Sequence, residues 1–120
     1  MQKPDIMRPP LEITFRGMLA SEAVEAMVTR WFARLERVFD RVHHCAVTIE
    51  LPHRSQHQGA MFHVKVELGV PDATIVVSRD HGADPSHEDV YVAIADAFHA
   101  ARRQLQSYAA NRRGDLRGHA

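Results

Sequence analysis

The sequence predicts an α+β domain of order β-α-β-β-β-α: a four-stranded, mainly antiparallel sheet with two helices packed on one face. Three observations lead there. Four short segments alternate apolar and polar residues, two longer ones repeat apolar residues at steps of three and four, and the strands keep a polar side that leaves one sheet face wet. At 120 residues the chain is sized for one domain with a modest core. Residues 1–120 are read as one unit, ordered over about 11–110, with flexible ends at 1–10 and 111–120.

The first strand is Leu11 to Arg16, where Leu11, Ile13 and Phe15 alternate with Glu12, Thr14 and Arg16 until Gly17 ends it. Ser21 is a candidate N-cap for a helix reaching about Asp40, with an apolar stripe of Val24, Met27, Val28, Trp31, Leu35, Val38 and Phe39. Two more strands follow: Cys45, Val47, Ile49 and Leu51 alternate with polar neighbours, and so do Phe62, Val64, Val66 and Leu68. The polar segment PHRSQHQG joins them. A turn at Val70-Pro71-Asp72 leads into a fourth strand, Thr74 to Ser78, and RDHGADPS forms the next loop. Ser86 with Asp89 three residues on resembles a capping box, and Tyr91, Ile94, Phe98, Leu105 and Tyr108 form the inward stripe of the second helix.

Fifteen Lys plus Arg balance fifteen Asp plus Glu, so any electrostatic function has to come from local clustering. Only Lys3 and Lys65 are lysines. Arginine is the better phosphate ligand because its planar fork donates bidentately, although a GC-rich coding sequence produces the same bias. The lone Cys45 excludes an intrachain disulfide and sits in an apolar alternation, which suits a buried thiol in a reducing compartment. No run is long and apolar enough to span a bilayer, and MQKPDIMRPP lacks the apolar centre of a signal peptide. The cytoplasm is the expected location, with no membrane partner. The tail NRRGDLRGHA reads as a helix exit followed by flexible chain or a linker.

Arg30, Arg34, Arg37 and Arg41 step by four, three and four, which places them on one strip of the first helix. With the helices side by side, that strip and Arg102, Arg103, Arg112 and Arg113 frame one basic surface, suited to the phosphates of structured RNA. The bland alternative is a solvated face, partly paired with Glu25, Glu36 and Asp96. The nine histidines include His53, His57, His63, His81 and His87 in and near the loops, but their spacing fits no compact metal motif. His87, Glu88 and Asp89 are consecutive at a helix start, where capping explains them better than acid-base chemistry. No nucleophile elbow, phosphate-binding glycine loop or zinc-protease helix occurs, so neither an enzyme, a cofactor nor a small-molecule substrate is expected.

Three stretches carry a resemblance: HEDVYVAI at His87 to Ile94, ARRQLQSY at Ala101 to Tyr108 and, more weakly, RWFARLERVFD at Arg30 to Asp40. With the element order, they resemble the ribosome hibernation promoting factor family, also called ribosome-associated inhibitors or sigma-54 modulation proteins. The similarity spans about Leu11 to Tyr108. It implies a fold like that of double-stranded RNA binding domains. It also implies binding to the small ribosomal subunit and its rRNA, in the channel of mRNA and tRNA, so that idle ribosomes are held inactive under stress or in stationary phase. By matched position, Arg103 corresponds to the family's helix-end arginine, Arg34 and Arg37 fall near its first-helix basic positions, and Tyr91 matches a helix-start aromatic assigned to packing. Ala100 stands where many members have lysine, and the loop RDHGADPSHED is longer than usual. The alternative is a protein-interaction module of the same fold, which a flat, mixed-charge helix face would favour and a basic groove would not.

Overall fold

A computed structural model describes residues 10–52, 61–79 and 89–118. Along them run β1 (Leu11–Arg16), α1 (Glu22–Val38), β2 (His44–Glu50), β3 (His63–Val70), β4 (Ala73–Arg79) and α2 (Val90–Gly118), in the predicted order. The strands lie side by side as β1-β2-β3-β4. β1 pairs parallel to β2, which requires a crossover, and α1 supplies it. The other two pairings are antiparallel. The β3–β4 hairpin closes through Pro71, whose ring presets φ, and Asp72, which takes the left-handed conformation at φ 67°.

Register sorts the strand residues onto two faces. Leu11, Cys45, Leu68 and Ile75 form one inward row, and Ile13, Val47, Val66 and Val77 the next. Both helices bury their apolar stripes in the same cluster. The β1 members are only half-buried, as an edge strand dictates. One outward row is polar, with Thr14, Thr48, Lys65 and Ser78 in register, and the next mixes Glu12 and Glu67 with Ala46 and exposed Val76. Gly17 ends β1 at φ 72°, and a β-carbon there would collide with the backbone carbonyl of Leu51, so the turn excludes any side chain.

In α1 the Ser21 hydroxyl accepts from the Val24 amide at 3.2 Å, as its N-cap role predicts. Val24, Val28, Phe32 and Leu35 point into the core, while Trp31 is half-buried. The stripe therefore includes Phe32, which the expected pattern omitted. The helix ends at Val38 rather than Asp40 because Phe39 turns extended and meets the Tyr108 ring edge-on at 5.3 Å. Arg41 consequently lies beyond the helix, off the strip drawn for it.

Helix α2 departs from expectation at both ends. It starts at Val90, with Asp89 as cap: its Oδ1 accepts from the Tyr91 amide at 2.9 Å, and its carbonyl accepts from Val92 and Ala93. Ser86, the other half of the expected capping box, lies outside the described residues. Tyr91 is 44% exposed and not part of the inward stripe. Half-buried Val90 takes the place four residues before Ile94 instead. The buried face is largely small, with Ala93, Ala97, Ala101 and Ala109 around Ile94, Phe98 and Leu105, which lets the backbone lie close to the sheet. The helix continues to Gly118, past the end near residue 110 that the tail's composition suggested. Gly114 inside it costs only about 1 kcal/mol, and no proline interrupts Val90–Gly118.

Cys45 is fully buried. Burial first, and the Glu36 carboxylate second, push its thiol from about 9 up to about 12. The folded thiol then keeps its proton where the unfolded one loses it, so this group's contribution to stability falls as pH rises from about 9 to about 12. The slope there is about 1.4 kcal/mol per pH unit for one group. Accordingly, Cys45 is expected to resist alkylation at neutral pH until denaturant unfolds the chain, followed by mass spectrometry against a denatured control.

Candidate nucleic-acid interface

The two helices meet along a line of aromatic contacts. Trp31 stacks on Phe98 with ring centres 5.7 Å apart and planes 14° from parallel, and it meets His99 edge-on at 4.9 Å. Phe39 against Tyr108 is a second contact between the α1 end and α2. A cleft of about 670 Å³ is lined by Arg34, Arg37 and Val38 of α1 and by Arg102, Gln106, Ala109 and Arg113 of α2. The α2 members step by four, three and four, which is one helical face. Among the described residues, no acidic side chain lines the cleft.

Four arginines thus line one cleft, two from each helix. Val38 and Ala109 add an apolar part to the wall, against which the positive field is less screened than over open surface. The Arg34 guanidinium sits 5.0 Å over the Trp31 ring, a cation–π contact that restrains it.

The remaining predicted arginines divide differently. Arg112 is turned toward the β3–β4 turn: it lies 3.7 Å from the Asp72 carboxylate and donates to the Tyr108 hydroxyl at 3.2 Å. It serves to anchor α2. Arg103 occupies the other flank of α2, in a shallower cleft with Gln104, Ser107 and Asn111. Arg30 is exposed one turn before Arg34, and Arg41 follows the helix, both outside the four-arginine cleft. Gln106 was missed, although the step from Arg102 through Gln106 to Arg113 carried the signal.

The family model described as sigma 54 modulation protein / S30EA ribosomal protein matches residues 11–113. The chain belongs to this family. Two solved structures share the fold. A ribosomal subunit interface protein from Coxiella burnetii superposes with a TM-score of 0.68 at 17% identity, covering 84% of this chain and 98% of the other. The N-terminal domain of Thermus thermophilus Protein Y gives a TM-score of 0.63 at 20% identity, covering 82% and 94%. A comparison with curated proteins finds no match.

In this sigma 54 modulation/S30EA chain the outer sheet face has another character. Arg16, Thr48, Glu50, His63, Lys65 and Ser78 line a shallow polar depression, and Lys65 pairs with Glu67 at 3.5 Å, mixing signs where the cleft has one. His53, His57, His81 and His87 lie outside the described residues, and among the described ones no group of histidine, cysteine and carboxylate side chains is arranged to hold a metal. No helix among the described residues is long and apolar enough to cross a membrane.

Tyr108 ties α2 to the β3–β4 turn and to the end of α1. Its hydroxyl donates to the Pro71 carbonyl at 2.6 Å and accepts from Arg112, while its ring holds Phe39. Tyr108→Phe keeps the ring but removes the donor to the Pro71 carbonyl and the acceptor for Arg112, so a loss of about 1–2 kcal/mol is expected in urea unfolding. An unchanged midpoint would show that water replaces the hydroxyl at no cost.

Proposed function

We propose that the chain is a non-catalytic ribosome-associated inhibitor of translation that binds the small subunit through rRNA phosphates. The observation that carries this is the α1–α2 cleft, which Arg34, Arg37, Arg102 and Arg113 line with no carboxylate beside them among the described residues. Guanidinium forks carried on two packed helices suit phosphate oxygens of a folded RNA, contacts that position the protein without reading sequence. Membership of a family described by its ribosomal protein, and a fold shared with a ribosomal subunit interface protein, support the same partner. The domain then acts by occupancy: seated in the channel of mRNA and tRNA, it excludes both and holds idle ribosomes inactive under stress or in stationary phase. A basic groove, in place of a flat face of mixed charge, favours RNA over the protein-interaction reading.

Sedimentation with purified bacterial small subunits tests this. Binding should be present at low salt and fall steeply as salt rises, with a log–log slope of roughly −3 to −4 if each cleft arginine neutralises one phosphate. Protein that stays in the supernatant at every salt concentration overturns the reading.

A further inference from the structure

We propose that the α1–α2 cleft also binds a compact linear polyphosphate, either inorganic or the tail of a nucleoside polyphosphate, and that this ligand competes with RNA for the same arginines. The regulatory half of this inference rests on the proposed RNA binding; the site itself rests on geometry.

The first argument is size and enclosure. At about 670 Å³ the cleft is within the roughly 300–1,000 Å³ typical of small-ligand sites, and it is walled by two helices instead of lying on one. The second is charge. Four like-charged residues line a single cleft, and among the described residues no carboxylate lines it to relieve their repulsion. An RNA backbone separates its singly charged phosphates by a sugar, whereas in a polyphosphate neighbouring charged phosphorus atoms share one bridging oxygen, so several guanidinium forks can be satisfied within a short span.

Preorganisation is the third. The Trp31–Phe98 stack and the Phe39–Tyr108 contact tie the two helices together at separate points, and Arg34 is held over the Trp31 ring, so the two walls and one of the four arginines are in place before the anion arrives. Finally, Gln106 offers an amide donor and acceptor, and Val38 and Ala109 give an apolar footing that suits a sugar or base attached to the chain.

The experiment is calorimetry on the full chain with sodium tripolyphosphate, with ATP in the absence of magnesium as a second arm and sulfate at matched ionic strength as the reference. Expected is saturable one-to-one binding of tripolyphosphate, weakened at least about tenfold in Arg34→Gln with Arg102→Gln and unchanged in Arg16→Gln on the outer sheet face. ATP tighter than tripolyphosphate assigns the site to nucleotides; equal or weaker ATP assigns it to the inorganic chain. Tripolyphosphate should then release the protein from small subunits, at constant free magnesium, over the concentration range that fills the cleft. Tripolyphosphate binding without co-sedimentation would sustain the site and sink the RNA reading. Co-sedimentation with no tripolyphosphate binding, or with binding that both variants share equally, would overturn the polyphosphate site and leave the RNA reading standing.

Discussion

Arg34→Glu combined with Arg102→Glu is expected to lower affinity for small ribosomal subunits by at least about a hundredfold at low salt, because each reversal removes a charge-assisted contact and adds a repulsive charge. The two residues come from opposite walls of the cleft, so no rotation of one helix restores both. Both are exposed, and the fold should survive: far-ultraviolet circular dichroism and the unfolding midpoint are expected to match wild type. The remaining salt dependence should also flatten, since fewer phosphates are neutralised. Sedimentation across a salt series reads both effects. Unaltered binding in the double variant would place the RNA contacts elsewhere on the surface.

Phe98→Ala should be the most damaging single core truncation, costing about 3–5 kcal/mol. Phe98 has no exposed surface, and it supports Trp31, through which α1 leans on α2. A loss of that size is a large share of the roughly 5–15 kcal/mol that stabilises a typical domain. Trp31 is the single tryptophan, so its fluorescence reports the same contact that the substitution removes. Denaturant titration should show an early midpoint together with a changed native-state emission. A shift below about 1 kcal/mol would mean that neighbouring alanines let the helices collapse into the space.

These two residues also show how far the sequence could be read. Strand β1 was legible to the residue, since LEITFR alternates cleanly and Gly17 closes it. The choice between Trp31 and Phe32 was not: both continue the step from Val28, at three and at four, and only the direction of the sheet decides which ring goes under. The alanines of α2 gave no apolar stripe to see, although they set how closely that helix lies on β3 and β4. Arg112 and Arg113 are adjacent in the chain but point about 100° apart on a helix, one to the β3–β4 turn and one to the cleft. Local pattern identified the basic segments. Which four arginines share a cleft depends on how α1 settles beside α2, a long-range fact that no short window contains.

The parallel β1–β2 pair has a kinetic consequence. Strands β2, β3 and β4 are successive antiparallel neighbours and can zip through their connecting loops, whereas β1 reaches its partner only after the chain has closed over the whole of α1. Closing that larger loop carries an entropy cost before any inter-strand hydrogen bond forms. Strand β1 is therefore expected to dock late onto a preassembled meander, with φ-values near zero at Ile13 and higher at Val66. On that order, the wall of the cleft that α1 supplies is the last to be secured.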